Sequence, residues 1–189
     1  QNSVSLSIDA RIENELLTAD VTVLNDKTGH HVPDGTIRNM ILLVTARRLE
    51  DLEDLAYQGK QFVHDLGGVG DPAQGYFAGL PGKLYGRVIH DQDGNAPVLF
   101  TEAVGVLWDN RIAALAADQS SYTFAVPPGE GTYEVAARLI YRRAFRFLVD
   151  DKGWTEDGQG RPLEDLQPPD FGHLMEQATW RSSPVTAVL

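Results

Sequence analysis

Leu17-Thr18-Ala19-Asp20-Val21-Thr22-Val23-Leu24 alternates apolar and polar residues, the period-2 mark of a strand with one buried face. Toward the N-terminus, Val4, Leu6, Ile8 and Ala10 repeat the pattern across Ser3 to Ile12. In the other direction a turn-rich stretch, Asn25 to Gly35, leads into Met40 to Ala46, a strand expected to be more fully buried. Further strands are expected at Leu84 to His90, Pro97 to Ala103, Val104 to Trp108, Ser121 to Val126 and Thr132 to Ile140, with turns at Asp91–Asn95 and Pro127–Gly129. Leu49, Leu52 and Leu55 recur every third residue, which fits a short amphipathic helix or a strand-loop-strand. Tyr141, Phe145 and Leu148 fall at helical spacing ahead of Lys152 and Gly153, which read as a helix C-terminus. Phe171 to Trp180 reads as one more short element.

About seven to nine short strands with little helix predict an all-β fold, an antiparallel immunoglobulin-like β-sandwich with one or two short helices and long loops. The chain reads as a single domain over 1–189, with its core at about residues 3–149 and residues 150–189 as a C-terminal surface wrap. The balance of 42% hydrophobic and 23% charged residues belongs to a folded globule. The 27 acidic against 16 basic residues give a net charge of −11, which repels phosphate backbones and favours a basic partner or a cation. Cysteine is absent, which removes disulfides, thiolate metal sites, thiol nucleophiles and covalent haem attachment through Cys-x-x-Cys-His. No apolar run is long enough to span a bilayer and no signal peptide is visible. A chain opening on Gln1 reads as a processed or trimmed product.

Gly29-His30-His31-Val32-Pro33-Asp34-Gly35 is the most informative stretch for chemistry. Two adjacent imidazoles point different ways in an extended backbone, so one is expected to face inward and one outward. Imidazole is the commonest metal ligand and the usual axial ligand of haem iron. His30 is therefore either a preorganised ligand or a buried hydrogen-bonding post that holds the loop. His64, His90 and His173 are single and weaker metal candidates.

Other motifs are less specific. Asp91-Gln92-Asp93-Gly94-Asn95 begins like a calcium loop, and Glu102 stands at its twelfth place, but the middle ligands fail and a hairpin turn fits better. Asp150, Asp151, Glu156 and Asp157 meet no calcium pattern. Asp65 to Gly82 holds six glycines and two prolines, the mark of a long structured loop. Its Gly79-Leu80-Pro81-Gly82-Lys83 segment is not a phosphate loop, since Pro81 lacks a donor and Leu84 replaces Ser/Thr. Tyr76, Phe77 and Tyr85 flank this loop and either present an aromatic surface or bury most of it. Arg138, Arg142, Arg143 and Arg146 form a basic cluster expected to pair with carboxylates. No Gly-x-Ser-x-Gly elbow or other activated nucleophile occurs, so no enzyme is expected.

Taken in order, the strand Leu17 to Leu24, Asn25 and Gly29 to Gly35 resemble the V-x-V-x-N … G-H-x-x-P-T-G signature of β-sandwich domains attached to, or encoded beside, bacterial multihaem c-type cytochromes. Leu80 to Tyr85, Asp109-Asn110-Arg111-Ile112 and Arg138-Leu139-Ile140-Tyr141-Arg142 resemble later strands of such domains, so the likeness covers roughly residues 15 to 145. Asp34 stands where the signature has Thr. His30 takes the Gly-His place and His31 a variable one. The resemblance implies a haem-free sandwich portion or subunit, periplasmic or extracellular, that docks on a multihaem cytochrome. Its interface would involve Pro33 and Asp34, and His30 would brace the loop or meet the partner's haem. A second class is a small copper protein using His30 and His31 with His64, His90 or His173. With no Cys and only Met40 and Met175, a soft thioether site is not expected.

Overall fold

The period-2 segments become strands, and a computed structural model describes them over residues 3–187. In chain order these are β1 (Ser5–Glu13), β2 (Leu16–Leu24), β3 (Asn39–Arg48), β4 (Gly82–His90), β5 (Gly105–Asp109), β6 (Ala117–Ala125), β7 (Gly129–Gly131), β8 (Tyr133–Arg142), β9 (His173–Arg181) and β10 (Val185–Ala187). A single α-helix among the described residues, α1 (Arg146–Lys152), follows β8. No helix among them is long and apolar enough to cross a membrane.

β1 and β2 form a hairpin closed by Asn14 and Glu15, both at positive φ, as a two-residue turn between twisted strands requires. With β6 they make a three-stranded antiparallel sheet. The second sheet has the order β5-β4-β3-β8-β9, also antiparallel, and β7 and β10 form a short separate pair. The two larger sheets pack face to face. Leu17, Ala19, Val21 and Val23 of β2 meet Met40, Leu42 and Val44 of β3 and Val135, Ala137 and Leu139 of β8, all fully buried.

β3 is buried on both faces, which explains its unbroken apolar run. Ile41 and Leu43 point away from the sandwich and pack with Leu84, Val88, Ile140, Val63, Phe77, Phe145 and Leu148. The glycine-rich loop and α1 therefore cover the outer face of the five-stranded sheet. α1 ends at Gly153, left-handed at φ 60, whose N–H donates to the Asp150 carbonyl.

Three expectations are corrected, and of the two alternatives for Leu49 to Leu55 the strand-loop-strand holds rather than the helix. The chain reverses, with Arg48 N–H donating to Glu53 O and Leu55 N–H to Ala46 O, and Leu52 is exposed. Pro97 to Ala103 is not a strand; only Val98 N–H reaches back to β4, at the Ile89 carbonyl, and the partner of β4 is β5. Phe171 to Trp180 does hold one more element, but it is a full strand of the larger sheet. β9 spans nine residues and pairs along β8, so the sheet continues past the boundary expected at residue 149. Of the arginine cluster, Arg138 pairs with Asp170 and Arg146 with Asp150, but Arg142 bonds only backbone carbonyls.

One turn within residues 154–172 carries a pH signature. The Asp157 carboxylate accepts from the Arg161 guanidinium (2.8 Å) and from the backbone N–H groups of Arg161 and Gln159. These bonds hold its pKa down at about 2, against 3.8 ordinarily. A depressed acid contributes stability that is present above the ordinary value and is lost as pH falls toward the folded value. An NMR titration should place the Asp157 midpoint near 2, and Arg161→Ala should move it back toward 3.8. An Asp157 that titrates normally in the wild type would contradict the turn geometry.

Candidate functional site

The His30 loop is pinned from beneath. Asn25 follows β2 and is fully buried. Its amide donates to the carbonyls of His30 (2.8 Å) and Ile112 (3.0 Å), and the Thr28 hydroxyl lies 2.6 Å from its Oδ1. Val32 and Ile112 exchange both backbone hydrogen bonds at 2.9 Å. Val32 and Pro33 are buried, so they plug the end of the sandwich and leave His30, His31 and Asp34 on the exposed rim.

Both loop histidines are thus exposed, and the expectation of one inward imidazole is corrected. Val32 takes the inward position because the bridge to Ile112 sets the loop's facing. The buried-post role expected of His30 belongs instead to Asn25. The His30 ring is fixed all the same, with Nδ1 lying 2.8 Å from the His31 carbonyl. A carbonyl only accepts, so Nδ1 carries the proton and Nε2 keeps its lone pair.

Below the loop is a cleft of about 300 Å³, lined among others by His30, Arg38, Met40, Tyr141, His173 and Met175. Sheet register builds its floor: Met40 of β3 stands opposite Tyr141 of β8, which stands opposite His173 of β9. In β9, Glu176 pairs with Leu139 and Leu174 with Ile140, leaving Met175 as the extra residue of a bulge. His173 Nδ1 is 3.1 Å from Glu164 Oε1. The carboxylate accepts, so His173 also presents Nε2.

The remaining candidates lie elsewhere. His64 Nδ1 accepts from Leu66 N–H at 3.1 Å, so its lone pair is already used in capping a short turn, and its ring lies tilted against Trp108. His90 donates from Nδ1 to the Asp91 carbonyl, and its Nε2 edge packs on Gly105, where a β-carbon would come within 2.6 Å. Asp91 accepts from Asp93 and Asn95 and is saturated as a hairpin turn. Of the two alternatives for the rings around the glycine-rich loop, burial holds: Phe77 and Tyr85 are buried. Tyr85 donates to Asp118 at 2.8 Å, and burial pushes its phenol well above the ordinary range. Tyr76 remains half-buried under Arg146, whose guanidinium lies 4.1 Å from the ring centroid. Among the described residues, no three His, Cys, Asp or Glu side chains converge on a point where a metal would sit.

Neither a family model nor a curated protein matches the chain. A solved structure does, the penta-haem cytochrome c552 of Thermochromatium tepidum. The two share a fold. Their TM-score is 0.65 at 18% sequence identity, over 97% of this chain and 40% of the cytochrome chain. This chain therefore spans well under half the length of the protein it is similar to. The missed site residues are Asn25, Arg38, Met40, Tyr141 and Met175, which no local motif marks as a group; only strand pairing brings most of them beside His30.

Proposed function

We propose that this chain is a non-catalytic, haem-free β-sandwich module of an extracytoplasmic electron-transfer assembly, and that it docks on a multihaem c-type cytochrome with the His30 loop facing a haem of the partner. The carrying observation is that nearly the whole chain finds its fold within a longer penta-haem cytochrome. The exposed His30 supports the reading, because an imidazole held by a bond from Nδ1 keeps Nε2 available for iron. The net charge of −11 supports attraction to a basic cytochrome face.

The test mixes the chain with multihaem cytochromes purified from its source, at low ionic strength, and follows co-elution and the haem absorption bands. Binding that weakens with salt and shifts those bands is expected. His30→Ala should abolish the shift while changing stability by no more than about 0.5 kcal/mol, because the ring is exposed and bonded only to the next carbonyl. His31→Ala should leave the shift intact. Absence of co-elution, or an unchanged shift in His30→Ala, would count against the proposal.

A further inference from the structure

We propose that the cleft beneath the His30 loop is a Cu(I)-binding site whose ligands are Nε2 of His30, Nε2 of His173 and the thioether of Met175. Three observations converge on it. Both imidazoles that line the cleft already donate Nδ1–H, one to a carbonyl and one to a carboxylate, which is the outer-shell arrangement that orients metal-binding histidines. The only two methionines of the chain, Met40 and Met175, both line the same cleft. The β9 bulge falls on Met175, and bulges re-aim a side chain beside functional sites.

The donor set also selects the metal. Hard or borderline divalent ions need several nitrogen or oxygen donors, and no group of three such side chains is present among the described residues. Thioether sulfur with imidazole suits Cu(I). The scarcity of methionine in the composition pointed away from a thioether site, but the fold concentrates both residues in one cleft. His31, adjacent to His30 in sequence, lines no part of the cleft and is not a ligand.

This inference goes beyond the docking reading and does not depend on it. Haem docking calls on His30 alone; copper calls also on His173 and Met175. Cu(I) is titrated anaerobically into the protein in competition with a chromophoric Cu(I) chelator. The wild type should withhold about one ion per chain. His173→Ala and the near-isosteric Met175→Leu should each weaken binding at least about tenfold, and Glu164→Gln by about tenfold, the usual size of an outer-shell loss. His64→Ala should bind as the wild type does. Near-UV circular dichroism identical to the wild type confirms that each variant is folded. The proposal is overturned if the wild type withholds no Cu(I), if His173→Ala and Met175→Leu bind normally, or if equimolar Zn(II) displaces the ion. His173→Ala that loses copper yet keeps the haem-band shift separates this site from the docking reading.

Discussion

Arg142→Ala is expected to destabilise the protein by about 3–5 kcal/mol, the largest effect of any single substitution outside the apolar core. Arg142 lies at the end of β8 and is 1% exposed. Its guanidinium donates to the carbonyls of Gly67 (3.0 Å), Gly75 (2.7 Å) and Phe171 (2.8 Å). It also sits 4.7 Å from the Phe77 ring centroid. The glycine-rich loop that covers the five-stranded sheet has few side chains to satisfy its own inward carbonyls, and one arginine fork supplies donors to the loop at two points. Removing it leaves the Gly75 and Phe171 carbonyls without their donor, at about 1–3 kcal/mol each, and the Gly67 carbonyl with only the Phe77 N–H, while entering water recovers part of the loss. Burial pushes the Arg142 pKa down to about 10, so the group stays charged at neutral pH. Arg142→Lys keeps the charge but lacks the fork, so it should recover only part of the loss. Urea unfolding measures the change; a midpoint shift worth less than about 1 kcal/mol in Arg142→Ala would show that the loop holds without it.

The strands that read most clearly were those with one wet face. β2 alternates because Leu17 to Val23 face the other sheet while Thr18, Asp20 and Thr22 face outward, and β3 reads as uninterrupted because loop and helix cover its second face. β9 was less legible because the bulge at Met175 interrupts its period: Gln177, Thr179 and Arg181 are exposed against half-buried Ala178 and Trp180, but Leu174, Met175 and Glu176 do not alternate. Leu49, Leu52 and Leu55 mimic a helical spacing only by coincidence: Leu55 packs on the core and Leu52 sits in a left-handed turn. At the site, the His30 loop announces itself through its Gly, His and Pro residues. Its companions do not, since His173 reaches the cleft only through the β3–β8–β9 pairing, and register between distant strands is not written in either strand alone.

Asn25→Ala should cost about 2–4 kcal/mol and, more tellingly, should free the His30 loop. Asn25 is 0% exposed and binds from both ends: its amide ties the nearby His30 carbonyl to that of Ile112, 87 residues beyond Asn25, its N–H donates to Ala116, and its own carbonyl accepts from Leu115. The backbone bonds survive the substitution, whereas the His30 carbonyl keeps only the Thr28 hydroxyl as donor and the Ile112 carbonyl only the Val32 N–H. Hydrogen exchange at the Val32 and Ile112 amides should accelerate beyond what the global loss of stability explains. Leu17→Ala provides the comparison. Leu17 is fully buried in the same core, and its truncation should cost about 2–5 kcal/mol without selectively exposing the loop. If the His30 ring must be held in place to meet a partner's haem, Asn25→Ala should also reduce the haem-band shift, since a loop that samples several positions must be ordered again on binding. Equal exchange rates for Val32 and Ile112 in Asn25→Ala and Leu17→Ala would show that Asn25 is ordinary core and that the loop is held by Val32 and Pro33 alone.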